Sequence, residues 1–494
     1  MRRHIPFLIS CYTVSERNLF SYMSLSGIFE REEKFRFLFR IVLVVVMLCH
    51  LFVSILGYFS DDVDGLKSLE QLIGSVFFVI LLLGAYLYCK CRIVKGKGGF
   101  SFHSSLITYV LLLLFLGWLY ILFLRDYSLN GVFSMIPNFD ILQNVFMKIV
   151  LAFFFALYVG GDRKYLRVIS IVLVAVTTIA SFSLFVLLLV REDVSYTNDL
   201  LHLSVNAGFF DWAGIGFGRL QINGQFTIFG MYAKTLILLC VYLLFDCKSK
   251  LRYLLFFPIC LFYMILALTD SRAGLLATAV GLGMITGLLT WEKTSGRKGI
   301  LRFGLMALAF LLVFLAVDGL RKPVYQGYVM MRSSVSNEEN EERAVERKLL
   351  SGGSGREAIY MAALESMKQP EIALFGVTPA KISTQLPSMS DQPVIYHAHN
   401  ELLEIMLASG FPGLLIYLMW LCMAAWCGIK ILFNVDGKFA IAERVLMIVC
   451  FAELVNNMFE ACLTFKDNLS GYIFYLLAGY AVVLAHQARK KMTA

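Results

Sequence analysis

The sequence predicts an all-α integral membrane protein of about twelve transmembrane helices, with a large extracytoplasmic loop between helices 9 and 10. Three observations predict it. Of the 494 residues, 59% are hydrophobic and only 16% charged, whereas soluble domains carry about 45–50% apolar and roughly 25% charged residues. The apolar residues fall in runs of about 20, enough for a helix to cross roughly 30 Å of hydrocarbon with every backbone group bonded internally. Between the runs, loops rich in Lys and Arg alternate with loops poor in them, as the positive-inside rule requires.

In chain order the spans are 38–60, 71–89, 104–124, 141–159, 166–190, 226–245, 251–269, 272–291, 302–318, 411–430, 444–462 and 470–486. With the N-terminus in the cytoplasm, the inner segments hold 27 Lys and Arg, and the short outer loops hold six. Both termini are then cytoplasmic, 487–494 being an inner tail. The net charge of +9 suggests nucleic acid only if the cations cluster on a solvated domain. Here they lie between apolar runs and set orientation instead. The first 37 residues carry six cations and no apolar core ending in a cleavage site, so no signal peptide is expected. None of the eleven Cys falls in the long outer loop, which speaks against a disulfide framework. Cys89 and Cys91 have metal-ligand spacing but no second pair nearby.

The long loop, 319–398, holds nine basic and nine acidic residues. Its SNEENEERAVERKLL stretch (336–350) reads as a solvated helix with Glu339 and Arg343 paired four apart. SGGSGR (351–356) reads as a turn and EAIYMAALESM (357–367) as a further helix. The loop ends in YHAHNELLEIMLASGFPG (396–413).

Three arginines on the outer face carry the first chemical signal. Arg219 lies in GRLQINGQF before the sixth span, Arg272 in TDSRAG between the seventh and eighth, and Arg356 opens a helix in the loop. Each alone fits an interface anchor, since Arg snorkels to headgroups. Together, on a face otherwise poor in cations, they suggest phosphate recognition, because a planar guanidinium matches phosphate oxygens bidentately.

His397 and His399 stand beside Asn400, Glu401 and Glu404 at the mouth of the bundle. A neutral imidazole there accepts a proton near neutral pH. The HxH spacing also fits a metal, but no further ligand cluster is apparent, and no metal is expected. The eleventh span carries Glu453, Asn456, Asn457 and Glu460 at helical spacing on one face. Ionisable groups in a bilayer face a partner or a cavity, and Lys234 in the sixth span is the expected counter-charge. A purely structural polar contact and a substrate cavity are both open readings there.

No phosphate-binding loop or nucleotide fingerprint is present, so no cofactor is expected. Outward Arg residues with a His base suit a lipid-linked diphosphate, in which the leaving group is already activated.

These segments resemble a known family. HAHNELLEIMLASGFPG (397–413), TDSRAG (269–274), GRLQINGQF (218–226) and SGR (354–356) are similar to the signatures of the O-antigen ligase and O-antigen polymerase superfamily. The likeness runs from about residue 205 to 485, and spans 1–5 match only in topology. It divides the chain into an N-terminal membrane region, 1–204, and a catalytic membrane region, 205–486, that includes the loop 319–398. The resemblance implies a type C glycosyltransferase fold in the bacterial inner membrane. It further implies metal-free, inverting transfer of a glycan from undecaprenyl diphosphate to an acceptor sugar. His399 is then the base, and Arg219, Arg272 and Arg356 bind the diphosphate. His397, Asn400, Glu401, Glu404, Lys234, Glu453 and Asn457 line the acceptor side or a cavity. Many relatives have an acidic residue where this chain has Ala408, and Glu401 or Glu404 is the expected substitute. A polymerase acting on capsule, exopolysaccharide or O-antigen repeat units is favoured over a ligase that uses lipid A core as acceptor. A transporter or flippase, which often shows two similar halves, fits less well because the halves here look dissimilar.

Overall fold

The computed structural model describes residues 105–130, 163–190, 193–198, 203–210, 219–222, 227–269, 271–292, 356–382, 397–433, 439–461, 463–466 and 468–493. A few further helical residues are described near 41–48, 141–149 and 301–309. In order the elements are α1 (Ser105–Asn130), α2 (Arg163–Val190), β1 (Asp193–Asn198), β2 (Leu203–Phe210), β3 (Arg219–Ile222), α3 (Thr227–Asp246) and α4 (Phe256–Leu268). They continue with α5 (Arg272–Glu292), α6 (Arg356–Ser366), α7 (Pro370–Phe375), α8 (Glu401–Leu432), α9 (Ile441–Asn457) and α10 (Leu469–Thr493).

Among the described residues, five helices are long and apolar enough to cross a membrane. They are Arg163–Leu189, Phe229–Asp246, Lys250–Leu268, Arg272–Thr290 and Glu401–Leu432. Their outward apolar side chains, such as Ile179 and Leu415, are exposed, which suits lipid and not water. The expected spans 71–89 and most of 38–60, 141–159 and 302–318 lie outside the described residues, as does the 336–350 stretch.

The all-α expectation needs one correction. Residues 193–222 form a three-stranded antiparallel sheet in the order β1-β2-β3, with Val194 opposite Ala207 and Phe210 opposite Arg219. Ala207 and Leu220 are buried, and the sheet rests against α2 and α4. Alternation of faces in a strand lets so short a sheet bury one side while remaining polar on the other.

Two charge clusters mark the ends and the middle of the bundle. At one end Asp246 is ion-paired with Arg163 at 2.7 Å and accepts a hydrogen bond from Arg167. The two loop segments that the charge count assigns to one membrane face therefore meet. In the middle, Lys234 of α3 pairs with Glu453 of α9, both side chains fully buried. Thr235 donates to Glu453 Oε1 at 2.6 Å and lies 3.2 Å from the Ser470 hydroxyl of α10. The counter-charge expected for span 11 is thus observed. α5 closes this unit through Gly281, where an added Cβ would press on Leu238 and approach Ala452 at 3.4 Å.

α8 packs on α1 and α10, with fully buried Trp420 stacked on Tyr475 at 5.3 Å. It begins ten residues before the expected 411–430 span and breaks at Gly410, whose φ is 67°. With Pro412 two residues on, the break frees carbonyls that must find donors in an apolar setting. Leu407 O accepts from Val377 N at 2.8 Å, and Ser409 O accepts from the Trp118 indole at 2.8 Å. Gly376 (φ 70°) and Gly410 are the points of closest approach, where a Cβ would run into the backbone of Ala408 and of Leu374 respectively. The 370–382 strap is tied to α1 as well, through Lys381–Asp126, Arg125–Glu371 and the Arg125 guanidinium 4.3 Å from the Phe375 ring.

Removing one partner of a buried pair strands the other, which costs about 3–5 kcal/mol. Lys234→Met or Glu453→Leu is therefore expected to lower the melting temperature of the detergent-solubilised protein sharply. The double variant is expected to recover most of the loss, measured by thermal unfolding of all three.

Candidate functional site

The site is assembled where α8 begins. Asn400 is its N-cap: the side-chain Oδ1 accepts from Leu402 N at 3.0 Å and Leu403 N at 3.1 Å, satisfying donors that the helix leaves unbonded. The amide then donates to Met458 O at 2.9 Å, pinning the helix start to the end of α9. The preceding residue, His399, has φ 50°, a conformation rare outside glycine and typical of constrained functional positions. Its carbonyl accepts from the Tyr360 hydroxyl at 3.1 Å, its backbone N–H donates to His397 Nδ1 at 3.2 Å, and the two imidazoles are 3.8 Å apart, centre to centre.

One carboxylate joins the charged groups. Glu460, 2% exposed, lies 3.1 Å from His399 Nδ1 through Oε2 and accepts from Arg356 at 2.6 Å through Oε1. Arg356 is the first residue of α6, and the start of that helix brings it to the carboxylate that His399 also meets. With the tautomer that donates Nδ1–H to Glu460, the Nε2 lone pair of His399 is available as a proton acceptor.

Several expected residues serve the scaffold. Glu401 takes Leu463 N and Thr464 N, each at 2.9 Å, and Glu404 takes Ala398 N at 2.6 Å. Both are buried and bonded to backbone N–H groups; the carboxylate that meets the histidine is Glu460. Asn457 donates to Glu453 O at 2.7 Å, inside its own helix. Lys234 and Glu453 sit deeper, in the pair described above. Glu460 was legible as a polar residue of span 11, but not as a site residue. The helix ends at Asn457, and a turn in which Glu460 N bonds Asn456 O at 3.1 Å carries it to the histidine.

Of the other arginines, Arg272 begins α5 at the same end of the bundle as His399. It is exposed and has no hydrogen-bond or ion-pair partner among the described residues. The residues before it pack tightly: a Cβ at Gly230 of α3 would collide with Ser271 and Thr269. Arg219 begins β3, and its side chain lies outside the described residues.

His397, His399 and Glu460 offer ligand atoms within 4.8 Å of one another, the spacing of a metal centre. The surrounding chemistry suits one poorly. Arg356 occupies the same carboxylate, and His397 Nδ1 already accepts a backbone N–H. Burial, then the cationic Lys466, the neighbouring His399 and the cationic Arg356, push His397 down to about 2.

His397 therefore stays neutral in the folded protein at pH values where the unfolded chain, with a His near 6.5, binds a proton. Folding stability is then expected to fall as pH drops below about 6.5. His397→Gln is expected to flatten that part of the profile, measured as melting temperature between pH 7 and pH 4.

A model described as O-antigen ligase matches residues 254–418, a stretch that holds Arg272, Arg356, His397, His399 and Asn400 and leaves out Arg219, Lys234, Glu453 and Glu460. No curated protein matches the chain. Residues 254–418, a third of the chain, are thus similar to the O-antigen ligase family, in a chain whose described residues include five helices long and apolar enough to cross a membrane.

Proposed function

We propose that the protein is a metal-independent, inverting glycosyltransferase that moves a glycan from undecaprenyl diphosphate to an acceptor sugar on the outer face of the bacterial inner membrane. The carrying observation is the chain Arg356–Glu460–His399, which sets a phosphate-type cation and a proton acceptor on two oxygens of one buried carboxylate. In the reaction, His399 Nε2 takes the proton of an acceptor hydroxyl. The hydroxyl oxygen attacks the anomeric carbon from the face opposite the diphosphate, and the bond from that carbon to the diphosphate oxygen breaks. The electron pair leaves with the diphosphate, whose charge is met by Arg272, Arg356 and Arg219. Glu460 orients the imidazole and stabilises it once protonated.

The same reading assigns twelve spans, both termini to the cytoplasm and the 319–398 loop to the outside. The acceptor that fits it is a further lipid-linked repeat unit, which makes the enzyme a polymerase of surface polysaccharide.

Positioned general bases contribute about 10²–10⁴-fold. His399→Ala is expected to lower transfer by about 10³-fold and Arg272→Ala by about 10²-fold, with both proteins folded and membrane-inserted and wild-type transfer unaffected by a chelator. The assay is glycan transfer from a lipid-diphosphate donor in vesicles, offered either a second repeat unit or lipid A core. Retention of activity in both variants overturns the assignment. A cysteine placed in 336–350 is expected to react with a membrane-impermeant thiol reagent from outside intact cells, and reaction only after the inner face is opened overturns the topology.

A further inference from the structure

Among the described residues a few buried side-chain polar atoms have no hydrogen-bond partner, and Asn456 is the residue at which both polar ends of one side chain are unmatched. That side chain is fully buried. Its neighbours are satisfied. Glu453, one turn before it, holds Lys234 and Thr235. Asn457, next to it, bonds Glu453 O. A buried amide with both ends unpaired is a cost that native interiors avoid, and such groups call for a specific explanation.

Position supplies one. Asn456 is one helical turn beyond Ala452, which faces Gly281 of α5. It therefore lies on the side of α9 turned toward α5, on the way to the end where Arg272 stands. The facing helix gives it no hydrogen bond among the described residues, and the Thr278 hydroxyl of that helix donates to Gly274 O at 2.8 Å. Above Asn456 the helix stops. Its own carbonyl accepts from Phe459 N at 3.0 Å and Glu460 N at 3.1 Å, so the short turn that carries Glu460 to His399 is anchored on Asn456.

We infer that Asn456 is an acceptor-binding residue of the transfer site, its unpaired amide kept at the foot of the Glu460 turn to hydrogen-bond a sugar group that presents a donor and an acceptor together. This rests on the glycosyltransferase reading and goes beyond it by naming what reads the acceptor. The unmatched groups are one donor-bearing nitrogen and one acceptor oxygen. A diphosphate has acceptors only and would leave Oδ1 facing an anion. A sugar hydroxyl, or an acetamido group, satisfies both. Adjacency to Glu460 assigns the amide to the acceptor, because Glu460 holds the base that takes the acceptor's proton.

The test uses the full-length protein in lipid nanodiscs, with an undecaprenyl-diphosphate-linked oligosaccharide as donor and, titrated separately, a repeat-unit oligosaccharide on a chemically distinct lipid or lipid A core as acceptor. His399→Ala is assayed first; if it leaves transfer intact, the catalytic reading itself has failed. Where it abolishes transfer, Asn456→Leu, which keeps the shape and removes both polar ends, is compared with wild type. The expected result is a melting temperature equal to or above wild type, because an unpaired group has been removed, with KM for the acceptor raised about tenfold or more and KM for the donor unchanged. Asn456→Ala, which only deletes atoms, is expected to give the same KM pattern and serves if the Leu variant does not fold. An acceptor KM unchanged in the folded variants overturns the inference. So does a melting temperature that falls in step with activity, which marks a structural amide or a structural water.

Discussion

The fold depends on placing a full positive and a full negative charge where water is absent. Lys234 and Glu453 cannot be hydrated between α3 and α9, so each is tolerated only because the other is there, and Thr235 and Ser470 complete the hydrogen bonding. An isolated charge at that depth costs several kcal/mol, and a paired one much less. The pair therefore fixes the register of α3 against α9 and brings in α10 through Ser470. Gly281 lets α5 close on the same three-helix unit. Because the end of α9 is set by this register, so are Met458 and Glu460, the two points at which α9 and its following turn hold Asn400 and His399.

The second constraint is the broken helix α8. A helix interrupted by Gly410 and Pro412 must satisfy its freed carbonyls from protein, since lipid offers no donors. Val377 and Trp118 do so, which makes the strap 370–382 and helix α1 part of the helix they repair. The same strap is continuous with α6, whose first residue is Arg356. The break thus links the segment that starts at His399 to the segment that brings Arg356, and the two reach Glu460 from different parts of the chain.

Much of this was legible in the sequence. Length and hydropathy located the helices that are described, because the hydrocarbon thickness leaves little choice. Lys234 and Glu453 were readable as partners, because a charge inside an apolar run needs one. The sheet at 193–222 was not, since DVSYTN and LSVNAGFF are too short and too mixed to announce a strand beside runs of 20 apolar residues. The end of α9 was missed because no Gly or Pro follows Asn457 to mark it; periodicity carried on to Glu460 assigns that residue to the wrong face. Glu401 and Glu404 looked like site acids, yet their partners are backbone N–H groups at 463–464 and 398, and no side-chain pattern records such a contact.

The shared carboxylate of Glu460 has a consequence for how the chemistry is timed. While Arg356 is held by Glu460, the cation and the anion cancel, and the imidazole shares its carboxylate with a competing positive charge. Under the proposed reaction, a diphosphate that draws Arg356 to itself leaves Glu460 to His399 alone. Seating the donor and freeing the shared carboxylate are then a single event, because both turn on the same guanidinium.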